Sequence, residues 1–359
     1  MKGGSIKGQG GYGCVFQPAL LCKGSKNPTD PKKVGKITDY VDAKNEVAFG
    51  KYFSGIQDSS KYVIFAEATT CTPRSRRKQV EKDLELCKIA DKEPLDTMVQ
   101  IIMPFGGYSI SRMNLDPSEF NFINTMEQIL EIGTFLILND VCHFDMNVQN
   151  ILFDGNKKPR AIDFGFAFRP TEFTKKDMTL RWRVMAFDHD TESPEVTLML
   201  AAHDNIGIEE SLAGLKQQKP AVQNLASICH ISPDAWAADL RNWTQTSQSF
   251  MSHDWESCWK TYWPGFDAWS IGAMLLTILD IQLRFSSFVE SEAWKTKGDK
   301  IKKILIGLCR AHPAYRIDAA EALAYLTDGK HPLISNDGSG NISEGYAWIQ
   351  EKKARRQFH

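Results

Sequence analysis

Short apolar runs dominate the first 110 residues. The runs at 14–16, 34–37, 62–65 and 99–103 are separated by glycine, proline and charged residues, the spacing of short strands. One segment breaks that pattern. Over 42–53, with Val41 just ahead, Val47, Ala48 and Tyr52 fall on neighbouring turns and predict a helix. Two polar loops stand out, at 23–33 and at 72–82, the latter carrying Arg74, Arg76, Arg77 and Lys78. Beyond residue 115 the period lengthens. Phe122, Met126, Ile129, Gly133 and Leu136 recur at steps of three and four and predict one buried helical stripe. Asp116-Pro117-Ser118-Glu119 ahead of them reads as a capping box. A second long apolar helix is predicted over 267–280. Residues 196–266 have helical character and hold Trp236, Trp243, Trp255, Trp259 and Trp263, five of the nine tryptophans. No internal repeat is present. The pattern predicts an α+β fold: a small β-rich N-terminal lobe over 1–108, a larger helical lobe over 109–327 with a helical insertion at 196–266, and a C-terminal tail over 328–359.

Composition narrows the class. The chain of 359 residues is 42% hydrophobic and 24% charged, which suits about two folded units and excludes wholesale disorder. With 43 basic and 44 acidic residues the net charge is −1, so no bulk field draws the chain to nucleic acid or anionic lipid, and no dedicated nucleic-acid site is expected. No apolar run reaches the ~18 residues a membrane span needs, so no membrane association is expected. The opening lacks the apolar stretch of a secretory signal, and Lys2 stands where N-myristoylation needs glycine. The eight cysteines (Cys14, Cys22, Cys71, Cys87, Cys142, Cys229, Cys258, Cys309) form no C-x-x-C pair. That scatter reads as reduced thiols of a cytoplasmic protein rather than a disulfide framework or a zinc site.

The candidate chemistry begins at Gly8-Gln-Gly10-Gly11-Tyr-Gly13-Cys-Val15. A loop without Cβ atoms lets backbone N–H groups approach phosphate oxygens. Similar glycine runs open dinucleotide folds and ordinary hairpins. Here a strand-like Cys-Val-Phe and then Pro18 follow, where a dinucleotide site would place a helix. Lys36 lies on a strand-like segment, and Glu46, ten residues on, could hold its ammonium; the alternative is a solvated surface pair. Two acidic elements follow: His143-Phe-Asp145-Met-Asn147-Val-Gln-Asn150, and Asp163-Phe164-Gly165. Asp145 is placed to accept a proton from a hydroxyl. Asn150 and Asp163 offer hard oxygens suited to Mg²⁺.

In this order the motifs resemble the signature set of eukaryotic-type protein kinases. Residues 8–15 resemble the glycine-rich loop, Lys36 the lysine of the third strand and Glu46 its helix partner. Residues 143–150 resemble the catalytic loop and 163–165 the D-F-G element. Ser193-Pro194-Glu195 resembles A-P-E, and Asp267-Ala-Trp-Ser-Ile-Gly272 the D-x-W-S-x-G helix. Pro313-Ala-Tyr-Arg316 resembles the late segment whose arginine pairs with the A-P-E glutamate, here Glu195. The resemblance implies a bilobal protein-kinase-like fold, ATP and Mg²⁺ as cofactors, and phosphoryl transfer to Ser/Thr hydroxyls of protein substrates. By it, Asp145, Lys36 and Glu46 are catalytic. Gly8, Gly10, Gly11, Gly13, Val15, Lys36, Met103, Phe105 and Gly106 bind nucleotide, with Met103 as gatekeeper and 104–106 as hinge. Asn150 and Asp163 hold metal, and His143, Glu195, Asp267 and Arg316 are structural. The opening, the short Lys-to-Glu spacing and the insertion are also similar to divergent kinases of large double-stranded DNA viruses, which implies a host cytoplasm or a virus particle.

Departures from that pattern keep other classes open. Phe144 stands where the family has the arginine that clamps a phosphorylated segment, and Asn147 where many Ser/Thr kinases have a lysine touching the phosphoryl group. The usual threonine just upstream of S-P-E is missing, with Asp188 near its place; Thr174, Thr179 and Thr191 are candidate phosphosites. A pseudokinase scaffold without turnover is the alternative these departures motivate, and a small-molecule or lipid kinase is a third reading. The tryptophans of 236–263, three of them spaced every four residues, suit either packing or a protein partner. The basic runs at 74–78 and 352–356 read as solvated charge.

Overall fold

A computed structural model of the chain describes all residues except 1–4, 11–12, 26–29, 68–69, 76–81, 93, 337–341 and 357–359. The basic cluster Arg76, Arg77 and Lys78, like Gly11, lies outside the described residues. The chain divides into two compact units, Met1–Tyr108 with Leu152–Ala167, and Ser109–Ile151 with Phe168–His359. The first is built on a small antiparallel sheet and the second is mainly helical, the α+β division expected. Two boundaries differ from expectation. Residues 152–167 return to the first unit, because Ala161 N–H donates to Tyr62 O at 2.9 Å and Ile64 N–H to Ala161 O at 2.9 Å. The expected separate tail belongs to the second unit.

In the first unit, β1 (Ser5–Gly10), β2 (Gly13–Gln17), β3 (Lys33–Thr38), β4 (Thr70–Cys71) and β5 (Val99–Pro104) form an antiparallel sheet in the order β1-β2-β3-β5-β4. Central β3 sets Lys36 opposite Val15 on β2 and Ile101 on β5. Five of its six residues are buried, because apolar clusters cover both faces of the sheet. One cluster gathers Cys14, Phe16, Leu20 and Ile37; the other gathers Val34, Ala43, Ile64, Ile101 and Met103. Helix α1 (Tyr40–Ser54) starts where the Asp39 carboxylate accepts from Val41 N–H (2.7 Å) and Asp42 N–H (2.9 Å), a side-chain cap on orphan donors. Residues 62–65, expected as a strand, make one isolated bridge, Val63 to Ala161, because among the described residues no strand pairs with the remainder. A short helix α2 (Lys88–Lys92) lies in the first unit, and three further strands, β6 (Tyr108–Ser109), β7 (Ile151–Phe153) and β8 (Pro159–Ala161), pair in the order β6-β7-β8; Ser109 and Ile151 are the ends of β6 and β7 that count with the second unit. At Gly107, φ is +104° and an added Cβ would lie 1.8 Å from Phe153 O, so only glycine fits.

The reading of eight reduced thiols is corrected here. Cys14 is bonded to Cys87 and Cys22 to Cys71, with Cα separations of 5.9 and 5.8 Å. The partners are 73 and 49 residues apart in sequence, so no local spacing could announce them. Cys142, Cys229, Cys258 and Cys309 are free. The expectation of a cytoplasmic location thereby loses the support it took from the cysteines. Among the described residues no helix is long and apolar enough to cross a membrane.

The second unit opens with α3 (Phe122–Leu138), capped by Asn121, whose side chain accepts from Asn124 N–H at 3.0 Å. The expected cap at Asp116 is instead a turn: its carboxylate accepts from Ser118 N–H (2.9 Å) and Ser118 Oγ (2.6 Å), and Asn121 supplies the cap nearer the apolar stripe. Phe122, Met126, Ile129, Gly133 and Leu136 are all buried, and a Cβ at Gly133 would meet Ala319 Cβ at 2.6 Å. After α4 (Lys175–Thr179) come α5 (Pro194–His203), α6 (Ile208–Gln218), α7 (Pro220–Cys229), α8 (Pro233–Thr246) and α9 (Gln248–Met251). Helix α10 (Trp255–Gln282) follows, then α11 (Ser286–Val289), α12 (Glu292–Leu308), α13 (Ala319–Leu326) and α14 (Glu344–Arg356).

The predicted 267–280 helix is thus the second half of a longer one, and the insertion has no boundary at 266. Trp236, Trp243, Trp259 and Trp263 are buried, so these four side chains form core rather than an exposed partner groove. Trp259 packs on Phe144, Phe168, Phe173 and Phe266 at centroid distances of 4.6, 5.3, 5.0 and 5.4 Å. Nor is the C-terminal basic run all solvated. Lys352 pairs with Asp318 at 2.7 Å and Glu321 at 3.0 Å, which ties α14 to the start of α13.

Candidate active site

In the first unit three distant stretches converge on one ammonium. The Lys36 side chain from β3 donates to Glu46 Oε1 on α1 and, at 2.7 Å, to Asp163 Oδ1 in the turn after β8. The side chains of Lys36, Glu46 and Asp163 are 10%, 4% and 35% exposed, which excludes a solvated surface pair. Burial works against the Lys36 ammonium, but attraction to Asp163 and then Glu46 outweighs it and raises the pKa above its usual 10.5. Glu46 moves the other way from a normal carboxylate. Its burial is the larger effect and pushes it up to about 7, against the pull of Lys36 and with Asp163 adding to the rise. One cation thus serves two carboxylates.

The Asp163 turn is itself held from α1. Asp163 has φ +68°, a left-handed conformation that aspartate tolerates better than most residues. Asn45 Nδ2 donates to the carbonyls of Phe164 (2.9 Å), Gly165 (2.8 Å) and Ala167 (3.1 Å). The Phe164 ring meets Phe53 edge-on at 4.8 Å and Phe49 at 5.9 Å. Sequence reasoning missed Asn45. Its only signal was its place next to Glu46 on the helix.

The remaining first-unit positions line the sheet. Gly10 pairs with Gly13 across the β1–β2 hairpin, and Gly8 has open space around it. Val15 packs against the cluster that holds Met103, which is itself buried near the end of β5. Phe105, expected in the hinge, already commits its N–H, which donates to Lys32 O at 2.9 Å. A Cβ at Gly106 would lie 2.0 Å from Ile64 Cδ1, so the backbone there sits directly on the apolar cluster.

In the second unit the loop after α3 carries the other candidates. His143 is fully buried, and its ring Nδ1 accepts from Asp145 N–H at 3.3 Å. Asp267 on α10 accepts from His143 N–H (2.6 Å) and Phe144 N–H (2.8 Å), which fixes the loop's backbone from below. Burial raises Asp267 above the usual carboxylate range, although His143 and those two N–H groups oppose the shift. Asn150 Nδ2 donates to Asp145 Oδ2 at 2.8 Å and to Asp145 O at 2.8 Å. Asn147 spends its amide on the loop itself, donating to Asp145 O (3.1 Å) and accepting from Gln149 N–H (2.8 Å). A residue that sequence reasoning passed over completes the cluster: Arg183 Nη2 donates to Asp145 Oδ1 at 2.8 Å.

Further from this loop, Arg316 and Glu195 form a two-pronged pair at 2.7 and 2.8 Å, with both side chains wholly buried. It anchors the start of α5 to the segment before α13.

Among the described residues no group of three or more His, Cys, Asp and Glu is placed to hold a metal. Asp163 in the first unit and Asn150 in the second each carry a hard oxygen of the kind Mg²⁺ accepts beside waters and phosphate oxygens. Comparison of the chain with protein-family models and with curated proteins returned no match.

Proposed function

We propose that this chain is a Mg²⁺/ATP-dependent protein kinase that transfers the γ-phosphoryl group to Ser/Thr hydroxyls of protein substrates. The observation that carries the proposal is the buried Lys36 held between Glu46 and Asp163. A lysine fixed in this way is a ready cation for nucleotide phosphates, and its two carboxylate partners give it no freedom to point elsewhere. The glycine hairpin of β1 and β2 would present backbone N–H groups to the same phosphates. Asp163 and Asn150 would hold Mg²⁺, which neutralises charge on the transferring phosphoryl group. Asp145 accepts the substrate hydroxyl proton as that oxygen bonds to the γ-phosphorus and the bond to the β-phosphate oxygen breaks, releasing ADP.

A protein-kinase-like fold is the finer reading of the α+β architecture. The Glu195–Arg316 pair and the hold of Asp267 on the 143–144 backbone are the geometry that reading requires. Both belong to the part of the resemblance that separates protein kinases from small-molecule and lipid kinases. The scaffold alternative rests on Phe144 and Asn147; against it, degraded kinases usually lose the lysine, the catalytic aspartate or the metal aspartate, and all three residue types stand in the chain at 36, 145 and 163.

The test is γ-phosphate transfer to a generic basic protein by wild type, Asp145→Asn and Lys36→Met. Removing the general base should lower transfer by ~10²-fold or more. Equal transfer by wild type and Asp145→Asn would sink the assignment. Tight Mg-ATP binding with no transfer by wild type would establish the scaffold instead.

A further inference from the structure

With Phe144 and Asn147 in place, the 143–150 loop carries no lysine or arginine, and the cation that contacts Asp145 comes from elsewhere in the second unit. Arg183 lies between α4 and α5, 38 residues from Asp145 in sequence, yet its Nη2 donates to Asp145 Oδ1 at 2.8 Å and to Phe144 O at 3.3 Å. Its guanidinium carbon sits 5.4 Å over the Phe144 ring. The side chain is only 13% exposed, so it is held rather than swinging in solvent. Phe144 is in turn fixed by Trp259, Phe168 and Phe266. An arginine at 144 could not occupy that aromatic nest without burying an unpaired charge. An aromatic ring there gives a guanidinium from another segment a shelf to lie on.

We infer that Arg183 is the cation of the phosphoryl-transfer site, taking the place that Asn147 leaves without charge. The inference rests on the kinase reading of Asp145. Two features favour assistance over obstruction. Arg183 and Asn150 each take one position, on different oxygens of the Asp145 carboxylate, and a carboxylate has about four acceptor positions. An incoming hydroxyl therefore still finds an acceptor. The cation is also preorganised on the carboxylate that would receive the proton, so it is in place before charge develops. A fixed donor there costs no reorganisation during the reaction.

The test compares wild type, Arg183→Met and Arg183→Lys in γ-phosphate transfer to the same basic protein, with kcat and the KM for ATP measured separately. Intrinsic tryptophan fluorescence follows folding of each. Arg183→Met should lower kcat by about 10- to 100-fold while the KM for ATP stays within about threefold. Arg183→Lys, which keeps the charge but loses the planar fork, should recover most of that loss. A kcat for Arg183→Met equal to or above wild type overturns the inference and leaves the kinase reading standing; a rise would make the contact a brake. Arg183→Lys as slow as Arg183→Met, with both unfolding earlier than wild type, also overturns it in favour of a structural role. Wild type that transfers nothing overturns the kinase reading and this inference with it.

Discussion

Replacing Arg316 by methionine should unfold the second unit far more readily than its single-residue scale suggests. The guanidinium has five N–H donors, and all five are used. Nε donates to Arg310 O at 2.8 Å; Nη1 donates to Glu195 Oε1 (2.7 Å) and Gly265 O (3.0 Å); Nη2 donates to Glu195 Oε2 (2.8 Å) and Ala311 O (3.2 Å). The group also lies 5.4 Å over Trp269. Methionine matches the length but leaves Glu195 with no exposure and no ion-pair partner, and takes a donor from three carbonyls. Breaking a buried pair from one side costs about 3–5 kcal/mol. The double variant Arg316→Met/Glu195→Leu removes the stranded charge and should recover about 2 kcal/mol, leaving the carbonyls as the residual cost. The assay is unusually clean. All nine tryptophans lie at or beyond Trp182, in the second unit, so urea unfolding read by their fluorescence reports that unit alone. At a slope of about 3 kcal/mol/M the midpoint should fall by about 1–1.7 M. A loss under about 1 kcal/mol, or a double variant no better than the single one, would refute the claim that this pair is held by mutual burial.

Three further outcomes follow from other parts of the molecule. Lys219, whose Nζ donates to His189 O (2.7 Å) and Glu192 O (3.0 Å), is pushed down to about 8 by burial, against the pull of Glu192 and Asp190. The unfolded lysine binds its proton more tightly than the folded one, so tryptophan-reported stability should rise between about pH 8 and 10.5. In Lys219→Met that rise should disappear; a slope unchanged by the substitution would count against the assignment. Thiol titration of freshly denatured, unreduced protein should find four reactive cysteines out of eight, and eight would rule out the two disulfides. Reducing them should cost the first unit about 2–4 kcal/mol by loop entropy, seen as faster amide exchange in β2 and β3, without moving the tryptophan transition. Phe144→Arg, which restores the arginine of the family pattern, should cost about 3 kcal/mol or more, because the side chain would enter the Trp259–Phe168–Phe266 nest as an unpaired charge; a midpoint equal to wild type would show that the nest opens to solvent.

Much of this protein is readable along the chain. Strands β2, β3 and β5 and helices α1 and α3 follow from local periodicity, because the alternation or the three-and-four spacing of apolar residues selects the backbone period that buries them. The motif residues stand close together in sequence within each group, so Lys36 and Glu46, or Asp145 and Asn150, are named by the chain alone. What periodicity does not state is which surface meets which. The tryptophans of 236–263 carry the same spacing whether they face solvent or core, and only the packing of α8 and α10 decided for core. The 62–65 run looks like a strand, but without a neighbouring edge it makes a single bridge. Arg183 on Asp145, Asn45 on the Asp163 turn and the two disulfides join residues 38 to 122 positions apart. Contacts across such separations depend on how whole elements close on one another, and chain order carries no record of that closure.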